Sequence, residues 1–358
     1  MSDETGQASF ARDKRLVNMQ DSAVVDYLPD EYPRLRDYLF ALIADPDTRV
    51  YAVMDGAFFQ NIAAKLRDAG LARRSLYRYG GDYSVVMGGP WLIDPYQQEN
   101  SGNLSIETGN VSNEQRITEI TSRFEAILQL AADTSGLVFW VGDASLTEAA
   151  LYDHLRRLNQ IEVPKSSSES NESANSGGYE LVTFRHADAN VMAQVLPSLD
   201  ASQLSRLFGS CRQIFFKPEP DWSKSAMRMV RPDDLPEPPG GPLRWTHQTI
   251  CAIEGMRFNW LTTRTMKYLH KVADQRVRGI SDEMLRTDVH KWLKAAAAHG
   301  VNQESAFRRW AYLQVVTGGR LEVAPGLSDF MISAELTSDP NERVRILMRE
   351  TIKYLKGV

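Results

Sequence analysis

Two kinds of hydrophobic pattern alternate along the first part of the chain, and one alone continues to its end. "RVYAVMD", "YSVVMGGPWLID", "GLVFWVGD", "YELVTFRH" and "RQIFFKPE" are short runs rich in Val, Ile, Phe, Tyr and Trp that close on turn residues, as strands do. "EYPRLRDYLFALIA", "AFFQNIAAKLRDAG" and "EQRITEITSRFEAILQLAA" instead repeat apolar residues at helical spacing. Beyond Thr246 only the helical period remains: Met266, Leu269, Val272 and Ala273 form one stripe, Leu285, Val289, Trp292, Leu293 and Ala296 a second, Phe307, Trp310 and Ala311 a third. The last helix is punctuated by Asp339 as N-cap, Pro340 in its first turn, Glu342 completing a box and Gly357 past its end. The expected fold class is α+β or α/β: an N-terminal mixed-sheet α/β lobe followed by a smaller all-helical C-terminal lobe.

The same pattern sets the expected boundaries. The α/β domain is expected over 1–216, its core over about 30–216, with polar inserts near 97–113 and 165–178 that bury almost nothing and read as loops. Residues 217–248 form a connector whose closely spaced prolines fix φ and oppose a regular ladder, and 249–358 form the helical lobe.

"ASLTEAALYDHLRRLNQIEVP" holds a histidine between an aspartate and two arginines. Ser145 and Glu148 read as a capping box that opens a helix, and Pro164 as its exit. In that helix Leu151, Leu155 and Leu158 make an apolar stripe with His154 on its edge, while Asp153, Arg156 and Arg157 project elsewhere. Sequence neighbours on a helix do not face each other, so Asp153 is poorly placed to orient His154, which is expected to pack rather than act as a base.

Composition narrows the function. With 358 residues, 43% hydrophobic and 24% charged, the chain is an ordinary globular protein of about two domains. The polar opening "MSDETGQASFARDKRL" is not the apolar run of a signal peptide, and no apolar stretch approaches the ~20 residues of a membrane span, so a cytoplasmic location without membrane insertion is expected. Cys211 and Cys251 lack CxxC spacing and are expected as small core residues. A net charge of −5 argues against nucleic acid as partner. The charge is uneven: Met1–Thr249 has 24 Lys and Arg against 34 Asp and Glu, a balance of −10, and the remainder 17 against 12, a balance of +5, as expected for two separate lobes.

Signatures of known chemistry are missing: there is no GxSxG elbow, Walker loop, HExxH, EF-hand loop or kinase set. "GGPWL" lacks the strand-to-helix context of a phosphate loop. The six histidines stand apart, and neither metal nor other cofactor is expected. His186 with Asp188 in "FRHAD" is the best local pair, since residues two apart on a strand share a face. It carries the alternative reading of a hydrolase of unrecognised type.

Six landmarks nevertheless occur in a telling order: "VYAVMDGAF" at Val50, "SLYRY" at Ser75, "GGPWLID" at Gly88, "GLVFWVGD" at Gly136, "HLRRL" at His154 and "TFRHAD" at Thr183. Together they resemble the domain of bacterial type VI secretion effector adaptors, also called effector chaperones, over roughly Val50–Phe216. The helical end, with "AAAHGVNQESAFRRWAYLQVVTGGRLEVAP", is similar to the C-terminal lobe of many of them. One departure is Ala189 after Asp188, where the family tends to have proline. The resemblance implies a bacterial, cytoplasmic, non-enzymatic protein that binds a toxic effector and brings it to the trimeric spike protein of the secretion apparatus. Asp55, Gly56, Gly89, Pro90, His154, Leu155, Arg156, Phe184, Arg185 and Asp188 occupy the family's landmark positions. Gly56, Gly89 and Pro90 suit turns after strands, and Asp55 suits the cap of a helix beginning at Ala57. Arg156 and Arg185 suit clamps onto a carboxylate such as Asp55 or Asp188, or grips on a partner. An effector groove between the lobes is expected to use Trp292, Phe307, Trp310 and Tyr312 as aromatic anchors.

Overall fold

The computed structural model describes residues 25–77, 82–98, 113–165, 178–333 and 337–356. The expected inserts near 97–113 and 165–178, and the Gly357 stop, lie almost wholly outside these residues. The chain divides into two compact units between Ile253 and Glu254.

In the first unit the order is β1 (Asp26–Tyr27), α1 (Leu35–Ala44), β2 (Thr48–Asp55), a 3-10 turn (Gly56–Phe58), α2 (Ile62–Asp68), β3 (Leu71–Ser75), α3 (Tyr83–Gly88), β4 (Pro90–Gln98), α4 (Asn113–Leu130), β5 (Leu137–Asp143), α5 (Glu148–Leu158), β6 (Gln160–Pro164), β7 (Tyr179–Thr183), α6 (Ala189–Val195), α7 (Ala201–Phe208), β8 (Gln213–Phe216) and β9 (Met227–Val230). Seven strands form one sheet in the order β1-β9-β8-β5-β2-β4-β3, while β6 and β7 form a separate hairpin. Every pairing between these strands is antiparallel, which is the α+β alternative.

The unbroken apolar runs of the central strands follow from burial on both faces. Tyr51, Val53, Val138, Trp140, Ile214 and Phe216 face one core, closed by α5, α6 and α7 through residues such as Leu155, Met192 and Leu207. Their neighbours Val50, Ala52, Met54, Phe139 and Phe215 face the other, closed by Leu39 of α1, Ile62 of α2 and Phe124 of α4. Alternate residues of a strand point to opposite faces, so a strand between two helical layers must be apolar throughout.

Several local expectations are corrected. "YSVVMG" at 83–88 is helix α3, capped by Asp82, and only "PWLID" onward is strand. α5 starts two residues later than its box suggested: Thr147 caps it by accepting from Ala150 N, whereas Ser145 closes a turn onto Asp143. Pro164 ends strand β6, not a helix. The proline-rich segment carries β9, whose "MRMV" is free of proline and pairs with both β8 and β1, so 217–248 is partly sheet.

The second unit contains most of α8 (His247–Val272), then α9 (Asp274–Val277), α10 (Asp282–Ala298), α11 (Glu304–Val316), α12 (Leu327–Ile332) and α13 (Pro340–Lys356). Its core gathers Leu269, Leu285, Val289, Leu293 and Ala311 from the expected stripes, though Val272 is exposed. Asp339 accepts from Asn341 N at the start of α13. Trp292, Phe307 and Trp310 are buried in this core and Tyr312 is half-buried against it. Trp292, Phe307 and Trp310 are therefore packing residues and not surface anchors: at helical spacing an aromatic on the apolar face supplies the largest buried area in a small helical core. Cys211 is buried but Cys251, expected inside, is exposed. Among the described residues no helix is long and apolar enough to cross a membrane.

Candidate functional site

Asp55, Gly56, Gly89, Pro90, Arg185 and Asp188 converge where the ends of β2, β4 and β5 meet the turn after β7, whereas His154, Leu155 and Arg156 lie on α5. Asp55 ends β2, pairing with Pro90 of β4 and donating its N–H to Gly136 O at 3.1 Å. Its Oδ1 accepts from Ala57 N at 3.0 Å, the expected cap, here on a 3-10 turn. Its Oδ2 accepts from Arg185 Nε at 2.9 Å and Nη2 at 2.8 Å. Nη1 of the same guanidinium lies 3.4 Å from Asp188 Oδ2, and the Arg185 group packs over Phe58. Asp188 Oδ1 caps α6 by accepting from Asn190 N. Arg185 is thus the expected clamp, joining residues 130 positions apart.

Arg156 is not such a clamp. It is half-buried near the Tyr152 ring, and among the described residues it reaches no carboxylate.

The glycines are required by close approach. A Cβ on Gly56 would lie 2.0 Å from Met87 O, and one on Gly89 2.3 Å from the Tyr77 ring. Pro90 begins β4 rather than closing a turn, and its carbonyl accepts from Leu76 N at 2.9 Å. Leu155 and Phe184 are core, Phe184 edge-on to Trp245.

His186 and Asp188 do not form a pair. β7 stops at Thr183, so the two residues lie in a turn and not on a strand. His186 is fully buried and its Nε2 lies 3.0 Å from Asn159 Oδ1. Asn159 donates its amide to Leu76 O at 2.8 Å, which makes Oδ1 an acceptor and Nε2 of His186 the donor. Burial pushes the His186 imidazole down to about 3, so it is neutral, with Nδ1 buried and without a hydrogen-bond partner among the described residues. His154 is likewise held down by burial, and its Nε2 meets Leu207 O at 2.8 Å. Trp140 stands edge-on to both rings. Burial raises the Asp188 carboxyl, against the lowering effect of Arg185. Among the described residues no three His, Cys, Asp or Glu side chains are grouped to hold a metal ion.

The arrangement is chemically a lock. Two turns, three strand ends and one helix start are tied by one guanidinium, two carboxylates and one imidazole–amide pair. Asn159 is the member that sequence reasoning missed. It follows α5 directly, where an Asn reads only as the end of a helix, and its partners stand 27 and 83 positions away.

The lock is expected to be worth measuring. Replacing Arg185 by Met leaves Asp55 and Asp188, both nearly buried, without their cation. Breaking a fully buried pair costs 3–5 kcal/mol; the guanidinium is partly solvated, so the expected loss at neutral pH is about 2 kcal/mol. Asp188 already sits above the ordinary carboxylate range and rises further without Arg185. Its protonation therefore relieves the variant as pH falls, and the gap in melting temperature between the two proteins narrows in acid. A gap that is constant with pH would show that Arg185 acts only by packing on Phe58.

Residues 50–206 match the model of a family described as "Domain of unknown function (DUF4123)". The match spans all six landmarks completely, and it ends within α7. No curated protein and no solved structure matches the chain.

Proposed function

We propose that this chain is an adaptor of a bacterial type VI secretion system: in the cytoplasm it binds a cognate toxic effector and brings it to the trimeric spike protein, without catalysing a reaction. The observation that carries the reading is the ordered series of landmarks over 50–206, matched as one domain, in which Arg185 bonds Asp55 and pairs with Asp188 while His186 bonds Asn159. Groups so engaged give rigidity to a binding scaffold. The hydrolase reading needed His186 oriented by Asp188 and accessible to substrate; a buried His186 held by Asn159, with Asp188 capping α6, gives it no support.

Co-production with the toxin and the spike protein encoded beside its gene tests the proposal. The expected result is a complex of adaptor and toxin that survives size-exclusion chromatography and recruits the spike. Folded His154→Gln and His186→Gln variants are expected to deliver toxin as well as the parent, because Gln retains a hydrogen-bonding edge without imidazole acid–base chemistry. Loss of delivery in a folded variant that still binds both partners would return the enzyme reading.

A further inference from the structure

The free edge of β7 leads at Thr183 into an open cleft. In the β6–β7 hairpin, Phe184 N bonds to Asn159 O and Lys165 N to Gly178 O. Bonded pairs alternate along an antiparallel ladder, so Glu180 and Val182 turn their backbone groups to β6, and Tyr179, Leu181 and Thr183 turn theirs outward. β7 pairs with β6 alone, and no outward group is bonded among the described residues. The side chains at these outward positions are also exposed: Leu181 at 60%, with Tyr179 held in place by the Arg244 guanidinium over its ring.

Exposed edges are ordinarily protected, because unpaired N–H and C=O groups invite another strand. The large sheet of this protein follows that rule. One of its edges, β1, is two residues long, and the other, β3, carries Arg73 and Arg74. β7 has five residues, no proline and no lysine, and its outward positions are Tyr, Leu and Thr.

Thr183, the last outward residue, also lines an open cleft of about 860 Å³. Leu76, Val85 and Val86 give this cleft an apolar wall, and Arg156 and Arg157 a cationic one. Asp153 is the single carboxylate in the described lining, and neither arginine forms an ion pair among the described residues. A third cation lies close by: Arg206 is held below its ordinary value first by burial and then by the charge of Arg157. Two guanidiniums without a carboxylate partner among the described residues, beside a third, are complementary to an anionic side chain.

We propose that β7 receives an extended acidic peptide of a partner protein as a third strand, with a carboxylate of the peptide on Arg156 and Arg157 and an apolar residue against Val85 and Val86. Backbone pairing supplies affinity without regard to sequence, and the cleft supplies selection. That the peptide belongs to an effector rests on the adaptor reading; its chemistry is read from β7 and the cleft.

The test uses the full chain and two kinds of probe. The first is a set of ten-residue peptides alternating Leu or Val with Asp or Glu, and a matched set with Lys or Arg in place of the acids. Fluorescence anisotropy is expected to show binding of the acidic set that weakens with salt and exceeds the basic set about tenfold or more. Arg156→Glu with Arg157→Glu is expected to reverse the preference. Leu181→Pro, which removes one outward N–H and no bond to β6, is expected to weaken binding of the acidic set tenfold while the melting temperature is retained. Hydrogen exchange at 179–183 is expected to slow when peptide is bound. Equal binding of both sets, no binding of either, or variants that bind as the parent does would overturn the proposal. The second probe is the toxin encoded beside the gene. Co-purified toxin unaffected by these variants sinks the β7 site and leaves the adaptor reading, whereas acidic peptides bound without any toxin complex sink the adaptor reading and leave the site.

Discussion

Gly56→Ala is expected to be the most damaging single-methyl change in the α+β unit, lowering its stability by about 3 kcal/mol or more. The added Cβ would stand 2.0 Å from Met87 O and 2.8 Å from Gly89 O, and both are backbone atoms. A flexible side chain in the way could rotate; these carbonyls cannot. Gly89 O accepts from Gly56 N at 2.9 Å, and Pro90 beside it begins β4, so moving the segment aside also disturbs the β2–β4 ladder. Gly255 supplies the contrast. It lies inside helix α8 with nothing within 4 Å of an added Cβ. There Ala is expected to stabilise by about 0.5–1 kcal/mol, by restricting the unfolded chain and favouring helix. Thermal unfolding followed by circular dichroism of the two variants checks both signs. A Gly56→Ala protein that melts with the parent would mean that the turn after β2 is far more pliable than its packing implies.

Acid is expected to weaken the protein through His186. The group is neutral in the folded state because burial pushes it down to about 3, from the 6.5 of a free imidazole. A folded-state value below the unfolded one means that the unfolded chain binds the proton more readily. Stability contributed by the neutral ring is then complete above about pH 6.5 and is lost as pH falls toward 3. At pH 5 the loss amounts to about 2 kcal/mol, from 1.36 kcal/mol per unit. Asp188 works in the opposite direction: raised by burial, it favours the folded state in acid and loses that contribution as pH rises. Comparison with His186→Gln separates the two. Gln donates to Asn159 Oδ1 without taking up a proton, so the variant is expected to lose some stability at pH 7 and to show a flatter profile between pH 6.5 and 4.5. Parallel profiles for the two proteins would show that another group carries the acid sensitivity.

What was legible in the sequence was whatever depends on near neighbours or on a buried face. "RVYAVMD" and "GLVFWVGD" announce central strands because a strand covered by helices on both sides has no polar face to show. The stripes of α10 and α11 announce their core for the same reason. Asp55 could be read as a cap because its bond to Ala57 N spans two residues. What could not be read was any outcome decided by a distant partner. "YSVVMG" has strand composition but becomes helix α3, and "MRMV" becomes β9 amid prolines because β8 and β1 stand on either side of it. The aromatic stripe holding Trp310 is equally compatible with a surface and a core until the facing helices are known; its full burial settles the matter.

The lock divides in the same way. Arg185 and Asp188 are close in sequence and their pairing could be anticipated, whereas the choice of Asp55 across 130 residues, and of Asn159 over Asp188 for His186, belongs to the fold. The free edge of β7 is also a tertiary fact. Nothing in "YELVT" says that one side will be paired and the other open, since hydrogen bonds across a sheet are made by backbone that every residue possesses. Sequence by itself determined which segments must be buried and which residues could cap or turn; tertiary structure alone decided which buried segments meet, because pairing energy comes from shape and position shared by residues far apart in the chain.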